Sequence, residues 1–61
     1  MKVRAVLKTL RLDGWMLKNQ EVSHRQFVHR LKPGKVTVAG HDADEVPPKT
    51  LKSIMKQAGL T

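Results

Sequence analysis

The 61-residue chain contains no cysteine and only five acidic residues, and its longest apolar runs cover a few positions. Without cysteine there are no disulfide staples and no thiolate zinc sites, a composition that suits the cytoplasm. Without a long apolar run no helix spans a membrane, and Lys8 and Arg11 interrupt any signal-peptide core near the N-terminus. Exposed apolar residues are expected to be too few for a membrane-surface protein. The scarcity of acid against twelve Lys and Arg leaves a formal net charge of +7 and a pI near 10.4. Such an excess on a small surface favours polyanions such as nucleic acid, or an acidic protein. The length allows one domain, residues 1–61. A chain this short buries only about 60% of its unfolded surface, so it depends on tight packing or a partner.

What is present falls into five segments. Val3, Val6, Leu7 and Leu10 repeat at the spacing of one helical face, with Lys2, Arg4, Lys8 and Arg11 on the rest of the wheel. The pattern predicts a basic amphipathic helix over residues 2–12, closed by Asp13-Gly14. From Trp15 to Gln20 the residues alternate, Trp15, Leu17 and Asn19 on one side and Met16, Lys18 and Gln20 on the other. The stretch SHRQFVH (23–29) suits a second strand running to about Leu31. After the Lys32-Pro33-Gly34-Lys35 turn, Lys35–Ala39 makes a third. The short turns imply antiparallel pairing. A polar connector, Gly40–Val46, leads to Pro47-Pro48, and Pro48 suits a first helical turn. Leu51, Ile54, Met55 and Ala58 give the last helix its stripe; Gly59 stops it, with Leu60 placed for a Schellman contact. The order is α-β-β-β-α, an α+β fold similar to the double-stranded-RNA-binding domain: a three-stranded antiparallel sheet with both helices on one face.

Alternation separates the two histidines of the middle strand. Phe27, the only Phe, should face the helices. His29 lies two positions on and shares that inner side, where a hydrogen bond at the rim of the core is expected. His24 lies an odd number of positions away and points to the open face with Gln26 and Val28. Trp15, Met16 and Met55 read as packing residues.

The ordered set DGW (13–15), SHRQF (23–27), KPGKVTV (32–38) and PPKTLKSIMKQAGL (47–60) resembles the HicA toxin family over nearly the whole chain. The resemblance implies an mRNA interferase: a toxin that cleaves RNA, blocks translation and is neutralised in a hetero-oligomer by a HicB-type antitoxin encoded alongside. It also implies that the histidine directly after Ser is catalytic, which is His24 here. The sequence departs from the family pattern in places: Val22 stands where Gly usually precedes Ser-His, Glu21 where a basic residue precedes that Gly, Arg30 where Pro often follows the second histidine, and Ala39-Gly40-His41 where a Pro-containing segment follows the third strand. A positive φ or a close approach of RNA is disfavoured by Val22.

The chemistry asks for little. RNA carries its own nucleophile, the 2′-hydroxyl, so the protein needs a proton acceptor and cations for the phosphate. Histidine suits the first task near neutral pH. Arg25, Lys18 and Lys35 are candidates for the second, with Ser23 and Gln26 as hydrogen-bonding groups. Lys49, Lys52 and Lys56 form a further phosphate-contacting ridge or an ordinary solvated face. No cofactor is expected. Asp42, Asp44 and Glu45 beside His41 read as a solvated connector carrying negative charge toward the last helix's N-terminus, rather than as a metal site.

Overall fold

A computed structural model describes residues 1–61 as five elements: α1 (Val3–Leu12), β1 (Trp15–Glu21), β2 (His24–His29), β3 (Val36–Val38) and α2 (Pro48–Gln57). The strands form one antiparallel sheet in the order β1-β2-β3. Helix α1 packs over β1 and α2 over β3. One core joins Val3, Val6, Leu7 and Leu10 of α1 to Ile54 and Ala58 at the end of α2, across Trp15, Phe27, Val36 and Val38 of the sheet. The expected α+β architecture is therefore the observed one. Strand β2 ends at His29 and β3 spans three residues, both shorter than the alternation suggested. The chain between them is bent around Pro33, which has no N–H for a ladder bond.

Each helix ends as its sequence dictates. In α2, Pro48 occupies the first turn. Gly59 adopts φ +70°, its N–H donating to Lys56 O at 3.1 Å while Leu60 N–H donates to Met55 O at 2.9 Å. These two bonds make the Schellman motif. Gly14 closes α1 at φ +99°, and a Cβ there would stand 2.8 Å from His29 Nε2, so only glycine fits between helix and strand.

The acidic connector differs from expectation. It fastens the chain to the start of α1, and α2 has no acid in its first turn. Val3 and Arg4 N–H groups donate to Asp44 O and Asp42 O at 2.9 and 3.1 Å, satisfying two donors that a helix N-terminus leaves over. Asp44 Oδ2 accepts from His41 N–H at 3.0 Å. Glu45 pairs with the N-terminal ammonium at 3.0 Å.

Lys32 forms a latch between distant segments. Its Nζ donates to Asp13 Oδ2 at 2.6 Å and to Ala58 O at 3.0 Å, tying the end of α1 to the C-terminus of α2. The Lys32 ammonium holds the Asp13 carboxyl below the ordinary carboxylate range. A lowered carboxyl adds stability above its unfolded pKa of about 3.9 and surrenders it as the pH falls through the folded value. Asp13→Asn is therefore expected to lower the melting temperature at neutral pH and to flatten its decline below about pH 4. Thermal melts across acid pH check this, and an unchanged acid limb would show that the latch adds no pH-dependent stability.

Candidate nucleic-acid interface and catalytic face

The register decides which side chains share a face. Trp15 pairs with His29, Leu17 with Phe27 and Gln20 with Arg25, all on the helix side. Met16 pairs with Val28, Asn19 with Gln26 and Glu21 with His24, all on the open side. Between Leu17 and Asn19 the register shifts, leaving Lys18 as the extra residue of a bulge at the sheet's free edge. The bulge corrects simple alternation: Asn19 turns to the open face and Gln20 joins Leu17 beneath the helices.

His24 stands exposed at the hairpin end of β2, and no hydrogen bond engages either ring nitrogen. Around it on the open face lie Glu21 opposite, Gln26 two residues along and Thr37 across from Gln26. Ser23 immediately precedes it in the two-residue turn Val22–Ser23.

That turn has an unusual backbone. Val22 adopts φ +54°, with its side chain 89% exposed. Two-residue hairpin loops need positive φ at the first central position, where Gly is the ordinary occupant. A β-branched residue there is strained at a cost of roughly 1–3 kcal/mol. The side chain of Gln20 supports the turn, Nε2 donating to Val22 O at 3.2 Å. We expect Val22→Gly to raise the melting temperature by several degrees, since relief of strain exceeds the roughly 0.4–1 kcal/mol of added chain freedom. Calorimetry decides this, and a lower melting temperature would mean that the turn carries no strain.

The other candidates divide between the two sides. Arg25 follows His24 in sequence and is expected beside it, but its side chain points beneath the sheet. There it donates to Asp42 Oδ1 at 2.9 Å and Gly40 O at 3.4 Å, and is only 17% exposed. Lys35 flanks β3 opposite Val28, four residues along β2 from His24, or roughly 13 Å at strand rise. Lys49, Lys52 and Lys56 lie exposed on the side of α2 turned away from the core, and so away from the open face. Ser23 and Gln26 stay beside His24, while the bulged Lys18 stands level with Gln26 and Phe27, two to three residues along β2 from it.

His29 is held on every side. Its Nε2 lies 2.6 Å from Asp13 O, and its Nδ1 accepts from Leu31 and Lys32 N–H at 3.0 and 3.2 Å. Two donors fix Nδ1 as acceptor, so Nε2 carries the hydrogen that Asp13 O accepts. The ring also meets Trp15 edge-on at 5.1 Å. With both nitrogens engaged, this imidazole is structural.

The α-β-β-β-α order, with a three-stranded sheet covered by helices on one face, is that of the double-stranded-RNA-binding fold. Within it, the model of the family described as "HicA toxin of bacterial toxin-antitoxin" matches residues 3–60 of the 61. The chain belongs to the HicA toxin family and is thus a toxin of a toxin–antitoxin system. No curated protein gives a significant match. No helix is long and apolar enough to cross a membrane.

Proposed function

We propose that the protein is an endoribonuclease, an mRNA interferase that cuts RNA with His24 as proton acceptor and is silenced by a HicB-type antitoxin. One observation supports the reading: a histidine with both nitrogens free projects from the uncovered face of the sheet, in a chain of net charge +7. His24 takes the proton of the 2′-hydroxyl, and the 2′-oxygen attacks the adjacent phosphorus. The bond from phosphorus to the 5′-oxygen breaks, leaving a 2′,3′-cyclic phosphate, and the departing oxygen takes up a proton to become a 5′-hydroxyl. Lys18 balances charge on the phosphate, while Ser23 and Gln26 hydrogen-bond phosphate or ribose. The nucleophile comes from the substrate and His24 takes its proton, so the step calls for no metal-bound water as attacking group.

The α2 lysines and Lys35 lie too far from His24 to touch the scissile phosphate, and serve affinity for longer RNA. A net acidic antitoxin fits a surface of charge +7, and covering the open face would block His24 directly. A second reading, a non-catalytic RNA-binding module, draws on Glu21. Its carboxylate stands across from His24 and opposes a phosphate there.

The discriminating test is incubation of purified protein with a defined RNA in excess EDTA. Cleavage supports the ribonuclease, whereas RNA that is bound but stays intact, with or without Mg²⁺, supports the second reading.

A further inference from the structure

The helix side of the sheet carries a second feature that local sequence pattern did not reveal. Helix α1 leaves the upper part of β1 uncovered, and a groove of about 250 Å³ remains between them. It is lined by Leu7, Leu17 and Phe27, by Arg11 and Gln20, and by the Arg25–Asp42 ion pair; Leu17, about half exposed, offers most of the apolar surface, since Leu7 and Phe27 are buried. A half-open groove of that volume has room for a planar ring the size of a nucleobase.

Charge around the groove is one-sided. Arg4, Lys8 and Arg11 follow one another at i, i+4 and i+7 on the strip of α1 that borders it. All three are exposed, and none forms an ion pair. Their Cα atoms climb the helix in steps of about 5–6 Å. Asp42, the acid in the groove, is already neutralised by Arg25 at 2.9 Å.

The groove also backs onto His24. Gln20 and Arg25 pair at its end, and the next pair toward the turn is Glu21 and His24 on the opposite face. Lys18 stands between the two faces, bulged at the free edge of β1.

We infer that single-stranded RNA passes round this edge, with the scissile bond at His24 and an adjacent nucleotide in the groove. That base lies against Leu17 within reach of the Gln20 amide, and the following phosphates run along Arg11, Lys8 and Arg4. The inference rests on the proposal that RNA is the substrate, and assigns α1 as a second binding surface. Bases paired in a duplex cannot enter the groove, so the inference selects single-stranded RNA.

The experiment uses the His24→Ala protein, so that RNA is not consumed, and a fluorescein-labelled twelve-nucleotide single strand, with anisotropy read over a range of KCl. Two equally charged pairs are compared in that background: Lys8→Gln with Arg11→Gln on the groove, and Lys2→Gln with Arg30→Gln away from it. Each lost single-strand phosphate contact flattens the slope of log K against log salt by about 0.7. The groove pair is expected to flatten it by about 1.4 and to weaken binding tenfold or more, while the control pair changes both little. A 4-thiouridine at the nucleotide next to the scissile position is expected to crosslink to the segment 17–20 or to α1. Equal slopes for the two pairs, or crosslinks confined to the open face, would overturn the groove while leaving RNA binding in place. Failure of the His24→Ala protein to bind the strand even at low salt would overturn the parent proposal, and the groove with it.

Discussion

Replacing His24 with alanine is expected to lower RNA cleavage by about 10²–10⁴-fold, the usual contribution of a positioned general base. The fold should hardly notice. The ring is exposed at a strand end and makes no hydrogen bond, so its removal belongs with ordinary surface substitutions of about ±0.5 kcal/mol. In a domain this size that moves the melting temperature by no more than about 4 °C. Cleavage of a labelled RNA and a thermal melt on the same preparation measure both. A variant that cuts as fast as the parent would remove His24 from the mechanism, and one that unfolds would show that the residue is structural after all.

The same substitution at His29 is expected to do the reverse. His29→Ala deletes one hydrogen bond to Asp13 O, leaves the Leu31 and Lys32 N–H groups without their acceptor, and removes the edge-on contact with Trp15. Each hydrogen bond contributes about 1 kcal/mol, and the aromatic contact about 0.5–1.5 kcal/mol. Water replaces part of this at the exposed amides, so the net loss is about 2–3 kcal/mol, or roughly 10–20 °C in melting temperature. The expected pattern is a strongly lowered melting temperature with parental cleavage by the fraction still folded. A surface-like shift of under about 4 °C, or loss of cleavage at a temperature where the variant is fully folded, would reverse the roles given to the two rings.

Two histidines five positions apart thus stand on opposite faces of the sheet by the parity of a strand, and that parity was legible in the sequence. The helical stripes, the Schellman ending at Gly59 and the inward Phe27 were legible for the same reason: each depends on residues close in the chain. The sequence marked Val22 as a residue that disfavours the positive φ of the glycine usual there, and the hairpin imposes that φ all the same. Other features depend on pairings that no local pattern records. The bulge at Lys18 arises from the register of β1 against β2, and nothing in WMLKNQE announces it. Arg25 departs from His24 because Asp42 waits for it 17 residues away. Lys32 gave no sign of reaching both Asp13 and Ala58, since neither lies near it in sequence. The acids of the connector found the N-terminus of α1, a partner more than forty residues distant for Glu45. The α1 groove shares this origin, because it exists only where the path of the helix leaves Leu17 and Gln20 uncovered.

The most direct measurement of the chemistry proposed for His24 is the identity of the RNA ends produced. Proton removal from the 2′-hydroxyl produces a 2′,3′-cyclic phosphate and a 5′-hydroxyl, in EDTA as well as without it. It also predicts that a 2′-O-methyl group at the scissile nucleotide stops cleavage at that bond. Fragments bearing a 5′-phosphate and a 3′-hydroxyl, or undiminished cutting of the 2′-O-methyl strand, would mean that water rather than the ribose attacks phosphorus, and would contradict the role assigned to His24.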